Sequence, residues 1–441
     1  MNAKKHGKQS YWLICLLLCS LTLCACQREG KGNASKPSAI QFVSEDFVCG
    51  NHRTNSNAHP HPIMETERGY YYNERSGRLS LHFYDKENQK DIVLCNKPEC
   101  KHDGNAFCVA TNKKYIPGAF QLYNDRILSV ATVFQEGTME IKLLEISLDG
   151  SELTELANLY SIPNKDGDLS IGTNLLIHRN YACIFLGFAN PVSFEETVEY
   201  GTLFYHLETG ESFFANEEPL SRDNPRWQNV TAMGDYIYYA QKPTRRYYKL
   251  HRYHLIDRVD EELGLVTNFS GNYALLDENN IFYLRGERNA TLYLYHPSDQ
   301  SNENLGFLTY EFEDERGELR HGQYGTDSLY TDGQYVYAPA NLWGGQYDGS
   351  SVVIYSSKGE YLKAVPLPNP EDFQIPTLSG ETSVLGEADA SGFLHLWLLN
   401  DKIYYSWNSS IYVTTWEALL LGTPGQDLAY EVLTNLTEAN N

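Results

Sequence analysis

The sequence has no excess of basic residues. Its 57 Asp and Glu outnumber its 35 Lys and Arg, for a net charge of −22. That balance argues against nucleic acid as a partner, and against electrostatic docking on anionic lipid headgroups. It suits a soluble surface domain, or one that meets cationic partners. Beyond residue 23 there is no apolar run long enough to span a bilayer. Helical periodicity is almost missing; the best stretch, "TTWEALLLG" (414–422), reads equally well as a strand. The standard catalytic signatures are missing too. There is no G-x-S-x-G elbow, no phosphate-binding loop, no H-E-x-x-H, and no G-x-G-x-x-G opening a helix. "DKENQKD" (85–91) lacks the Gly turn and the terminal bidentate Glu of a calcium loop.

What is present begins at the N-terminus. "MNAKKHGKQS" carries Lys4, Lys5 and Lys8, and "YWLICLLLCSLTL" (11–23) is an unbroken apolar run. The run falls short of the ~20 residues of a membrane span and fits the apolar region of a secretion signal. "LCAC" (23–26) follows, and it resembles the bacterial lipobox. That resemblance implies a diacylglyceryl group on Cys26, which cleavage would leave as the new N-terminus. Cys24 is the rival site, but it would place bulky Leu23 immediately before the cut. A different cut, or an uncleaved anchor, is the alternative. The expected organisation is a signal peptide over 1–25, lipidated Cys26 with a polar tether to 39 ("QREGKGNASKPSA" within it), and one domain over 40–441. The expected location is the extracytoplasmic face of a bacterial cell membrane. Acyl chains such as palmitate, at roughly 0.8 kcal/mol per buried CH2, would hold it there.

Tyrosine dominates the aromatics, with 33 Tyr against 18 Phe and 6 Trp. Tyr favours half-buried strands and also suits surfaces that bind sugars or proteins. It recurs in a repeat. A turn of Asn, Asp or Gly leads into alternating large residues in "ERGYYY" (67–72), "NDRILSV" (124–130), "RNYACIFL" (179–186) and "GDYIYYA" (234–240). The same signal returns in "ENNIFYL" (278–284), "DGQYVYA" (332–338) and "NDKIYYSW" (400–407). Each is read as the first strand of a unit. A second signal follows most copies, for example "ISLDGSELTEL" (146–156) and "YHLETGESFF" (205–214). An all-β chain this long must protect its sheet edges, and radial repetition of four-stranded sheets does so. The expected fold is an all-β, β-propeller chain with seven blades, six and eight being the neighbouring counts. An array of β-sandwiches is the alternative. "IQFVSEDFV" (40–48) is the expected closing strand in the last blade.

Of the nine cysteines, four lie in the leader or lipobox, leaving Cys49, Cys95, Cys100, Cys108 and Cys183. "LCNKPECKHDGNAFC" (94–108) arranges Cys95, Cys100, His102 and Cys108 as C-x4-C-x-H-x5-C, after the return strand "IVL" and so in a loop between blades. Export permits disulfides, and the disulfide reading is placed first. Cys95 with Cys100, or Cys100 with Cys108, can close a loop, with Cys49 as a possible fourth partner. The metal reading takes Cys3His as a structural zinc set, although the spacing matches no common zinc knuckle. Free packed thiols are the third reading. Only metal gives His102 a role. Cys183, inside "YACIFLGF", reads as a small buried hydrophobe. A second cluster, Cys49, His52, His59, His61 and Glu65, reads mainly as a polar loop stiffened by Pro60 and Pro62.

The lipobox, the tether, the Tyr-rich repeats and the residues Cys95, Lys97, Pro98, Cys100, Lys101, His102, Cys108 and Ala110 together resemble the TolB-like, DUF5050-like propeller lipoproteins of Firmicutes. That resemblance implies a surface-exposed, noncatalytic role. The expected function is therefore a noncatalytic binding or scaffold module, tethered to the membrane by its N-terminal lipid, for a protein or glycan partner. Trp343 and Tyr347, in the Gly-rich "NLWGGQYDGS" (341–350), are the candidate contacts. The alternative is a glycoside hydrolase or lyase with carboxylates in the funnel. Acidic runs such as "SFEETVEY" (193–200) and "EFEDERGE" (311–318) read as solvated edges.

Overall fold

Short turns set the architecture. Between the paired residues His178 and Tyr181, Arg179 and Asn180 have φ of 45° and 65°. Left-handed values at both turn positions twist the hairpin as its strands require. Asn124 (φ 51°) and Gly234 (φ 59°) open the corresponding turns of neighbouring units.

The computed structural model describes residues 53–54 and 64–435, except 75–79, 89, 105–107, 113, 165–169, 190–197, 245–246, 268–272, 286–290, 314–315, 326–328, 332, 344–348, 367–394, 400–401, 408–409 and 416–430. Among these residues every regular element is a β-strand. Seven antiparallel sheets follow one another along the chain, five of them four-stranded. We number them as blades: 1 (64–93), 2 (116–163), 3 (170–214), 4 (228–267), 5 (273–307), 6 (309–366) and 7 (395–435). Blade 6 adds a hairpin arm, Thr309–Glu313 on Leu319–Gly325. Blade 4 gains a short strand from far upstream, Arg53–Thr54, which pairs with its first strand, Gln228–Met233.

Consecutive blades share cores face to face. Tyr71 and Phe83 of blade 1 pack with Phe120 and Ile127 of blade 2. Leu128 and Val130 of blade 2 pack with Ile184 and Leu203 of blade 3. Phe204 of blade 3 joins Ile237 and Tyr239 of blade 4. Leu250 of blade 4 joins Ile281 and Tyr283 of blade 5. Phe282 of blade 5 joins Val336 and Val353 of blade 6. Each inner sheet of this series therefore has a partner on both sides, as in a β-propeller and not in paired sandwiches.

The repeat signals fall one strand later than their reading as first strands. "ERGYYY", "NDRILSV", "RNYACIFL", "GDYIYYA", "ENNIFYL" and "NDKIYYSW" each lead into the second strand of a blade. The reason is burial. Second strands are covered on both faces, so Ile127 through Val133 are all buried, and such strands read as apolar runs. Fourth strands do the opposite. Ser301, Asn302, Glu303 and Asn304 are exposed along the outer edge of blade 5, where polar side chains discourage pairing with another chain.

The second signal marks the turn from third to fourth strand. The last residue of the third strand caps it: Asp85 and Ser356 accept backbone N–H groups from two residues each, and so does His206 through Nδ1. A left-handed residue then returns the chain at Gly150, Gly210, Arg258, Gln300 and Gly359. The expected closing strand, 40–48, lies outside the described residues; blade 7 draws its four strands from 395–435. The 414–415 part of "TTWEALLLG" is strand, and the rest lies outside the described residues.

Tyrosine serves mainly as core. Tyr71, Tyr238, Tyr239, Tyr283, Tyr295 and Tyr337 are among the largest fully buried side chains. Several hydroxyls tie one blade to the next. Tyr71 donates to the carbonyl of Leu148 at 2.9 Å, Tyr123 to Asn180 Oδ1 at 2.8 Å, and Tyr273 to the carbonyl of Asn229 at 2.7 Å. Blade 4 contains a Tyr–His–Asp set: Tyr239 donates to Asp260 Oδ1 at 2.8 Å, and His251 Nδ1 lies 3.0 Å from Asp260 Oδ2. Blade 1 repeats it in register, with Tyr72 beside His82 and His82 3.1 Å from Asp91. Asp260→Ala strands the buried Tyr239 hydroxyl and is expected to cost about 1–3 kcal/mol. Chemical denaturation checks this, and Asp260→Asn, which keeps an acceptor, is expected to lose less.

Candidate metal centre and ligand cavity

The Cys/His loop leaves blade 1 after Val93 and reaches blade 2 at Ile116. Backbone bonds fold it tightly at both ends. Leu94 N–H donates to the Leu81 carbonyl (2.8 Å), Cys95 N–H to Val93 (2.7 Å), and Cys100 N–H to Lys97 across Pro98 (2.9 Å). Leu81 N–H reaches Ala110 at 3.4 Å, closing the loop back on blade 1. Cys108, Val109 and Ala110 are buried in the core shared by blades 1 and 2, and Cys95 and Cys100 pack against it.

The result is convergence. One ligand atom from each of Cys95, Cys100, His102 and Cys108 lies within 4.8 Å of every other. Cys108 Sγ is 3.6 Å from His102 Nδ1. None of these cysteines carries a disulfide. His102 sits at φ 51°, a left-handed conformation that a non-Gly residue adopts at a cost of ~1–3 kcal/mol when its surroundings demand it. The surrounding donors face sulfur. Thr111 Oγ1 donates to Cys108 Sγ at 3.0 Å, and the backbone N–H groups of Val109 and Lys97 donate to Cys95. Burial pushes the Cys95 thiol up, against those N–H groups. N–H and O–H donors around sulfur favour thiolates and orient metal-binding ones. The set can hold a metal ion. Three thiolates and an imidazole at such distances match a closed tetrahedral Cys3His site, which keeps no position open for substrate.

Blade 2 supports the loop from behind. Its turn "LDGSE" (148–152) presents the Gly150 carbonyl to Asn96 N–H at 3.1 Å. Gly150 has φ 67°, and a Cβ there would come within 2.8 Å of the Leu94 carbonyl. Sequence reasoning missed Thr111 and Gly150. Both read as ordinary turn residues, and only the fold brings Gly150 to the cysteine loop.

The other candidates do not join this site. Cys49, His52, His59 and His61 lie outside the described residues. Glu65 pairs with Lys86 at 2.6 Å. Cys183 is fully buried, and burial pushes its thiol up. Trp343 ends a strand of blade 6, where its backbone pairs with Gln323; Tyr347 lies outside the described residues. Of the acidic runs, Glu311 to Glu313 belong to the hairpin arm of blade 6.

A cavity of about 380 Å³ lies on blade 3, beside the link into blade 4. Blade 3 supplies Gly172, Thr173, Asn174, Phe185, Tyr200 and Thr202, and the link into blade 4 supplies Arg226 and Trp227. Among the described residues its polar lining is hydroxyl, amide, guanidinium and indole, with no acid, histidine or thiol. Sequence reasoning missed it because its residues come from four separate stretches.

These features define a seven-bladed β-propeller with a Cys3His cluster between its first two blades. No family model matches the chain, and no curated protein matches it. Solved structures do. A prolyl endopeptidase is 11% identical with a TM-score of 0.46; the match covers 88% of this chain but only 51% of that one, so this chain spans about half its length. An oligogalacturonate lyase in complex with manganese is 10% identical with a TM-score of 0.45, covering 83% of this chain and 90% of that one. TolB from Acinetobacter baumannii is 12% identical with a TM-score of 0.31, covering 80% and 75%.

Proposed function

We propose that this chain is a lipid-anchored propeller on the extracytoplasmic face of a bacterial membrane, acting as a noncatalytic binding module for a glycan partner. A structural zinc at Cys95, Cys100, His102 and Cys108 would hold its first inter-blade loop. The lining of the cavity on blade 3 carries this reading. Arg226, Trp227, Asn174 and the threonines can recognise a polar ligand, and among the described residues no carboxylate, histidine or thiol lines the cavity. The closed metal set supports a structural ion in the same way.

Two measurements test the proposal. In a bacterial host, Cys26→Ala is expected to abolish labelling by radioactive palmitate; retained labelling would contradict the anchor. On a glycan array followed by product analysis, the full-length chain is expected to bind without cleaving. Release of any shortened glycan would contradict a binding-only role.

A further inference from the structure

The Cys3His set between blades 1 and 2 has two unlike halves. Cys95 and Cys100 are half-buried, whereas Cys108 has no exposed surface. The half-buried pair shares one tight turn. Cys100 N–H returns to the Lys97 carbonyl across Pro98 at 2.9 Å, and the Cys95 and Cys100 side chains hydrogen-bond to each other. Cys108 belongs to the core shared by the two blades. Its sulfur takes the Thr111 hydroxyl at 3.0 Å and lies 3.6 Å from His102 Nδ1. Two adjacent thiols are therefore open to small solutes, and the third is shut away and held by its own partners.

That asymmetry decides how the centre meets an oxidant. Bound to a metal, the three sulfurs are thiolates, and exposed thiolates are the ones that peroxides oxidise. A thiolate of the Cys95 and Cys100 pair attacks one oxygen of hydrogen peroxide. The O–O bond breaks, the sulfur becomes a sulfenic acid, and the departing hydroxide takes a proton to form water. The second thiolate then attacks the sulfenic sulfur, the S–O bond breaks, and a second hydroxide leaves as water after taking a proton. The net change turns two thiolates, one peroxide and two protons into one disulfide and two waters. Zinc keeps its charge throughout. It is left with Cys108 and His102, half of the four ligands that a closed site needs. Outside the cytoplasm, where the lipid-anchored reading puts this chain, no glutathione pool keeps thiols reduced.

Resting on the structural-zinc reading, we infer that this centre is a peroxide-sensitive switch, in which a Cys95–Cys100 disulfide expels the metal and frees the joint between blades 1 and 2. The test treats the zinc-loaded, full-length chain in detergent with excess hydrogen peroxide. A chromogenic chelator reads released zinc, and peptide mass mapping reads the cysteines. One zinc per chain is expected to be released, with a Cys95–Cys100 disulfide and with Cys108 still a thiol. Reduction followed by added zinc is expected to restore the bound ion. Cys183→Ala is expected to behave as the wild type does. Zinc retained under excess peroxide overturns the switch and leaves the structural centre standing. Release with a disulfide that takes in Cys108 or Cys49, release with sulfinic acids in place of a disulfide, or failure to reload after reduction also overturns the switch alone. A fully reduced chain that takes up no zinc before any oxidant is added would defeat the metal centre, and the switch with it.

Discussion

Cys108→Ser is expected to strip the chain of zinc and lower its melting temperature by about 5–15 °C. The estimate takes several kcal/mol from a lost structural metal and about 2–4 °C per kcal/mol for a large domain. Cys108 is fully buried between blades 1 and 2, so losing the ion there loosens the joint between them. Cys95→Ser and Cys100→Ser should behave alike, because a Cys3His site fails when any ligand is lost. Cys183→Ala is the control. That thiol is equally buried but lies in the core between blades 3 and 4. It should cost only its packing and leave zinc at one per chain. Zinc content by plasma emission, alongside calorimetric melting, checks all four variants.

Gly150→Val is expected to release the metal without touching a ligand. Two causes add. The residue is left-handed at φ 67°, and its new Cβ would fall 2.8 Å from the Leu94 carbonyl carbon and 2.9 Å from Cys95 N. A β-branched residue in that conformation is disfavoured on its own account, and the contact drives the turn away from the cysteine loop. The expected loss is about 3–5 kcal/mol, at the severe end for one substitution. Gly137→Val separates the two causes. It is left-handed at φ 75°, but a Cβ there meets nothing within 4 Å. It should destabilise less and keep its zinc.

The propeller was legible because turn chemistry repeats. Asn, Asp and Gly mark the hairpins, and the buried second strands announce themselves as apolar runs such as "RILSVATV". The same strength misplaced them by one strand, since first strands such as Tyr273–Asp277 are short and carry weaker signals. The four residues of the metal set were visible as a local array, and His102 hinted at their use. Their convergence was not, because it depends on a left-handed backbone at His102 and on Thr111 donating to Cys108. Spacing along a chain reports neither. The cavity was invisible for a related reason. Gly172, Phe185, Tyr200 and Arg226 meet only once the strands of blade 3 have paired and the link after it has folded back, and nothing in their separate stretches distinguishes them from other residues. The tyrosines misled in the opposite direction. Many look like surface contacts in sequence, yet Tyr239 and Tyr283 are buried donors to Asp260 and Asn302.

The central claim is that Cys95, Cys100, His102 and Cys108 form a closed metal centre between blades 1 and 2. Native mass spectrometry of the full-length chain, repeated after chelation and thiol alkylation, tests it most directly. One bound zinc is expected in the native spectrum. Cys95, Cys100 and Cys108 are expected to take up alkylating agent only once the chelator has removed the metal. A chain without metal, lighter by two hydrogens through a bond between any two of these three cysteines, would contradict it.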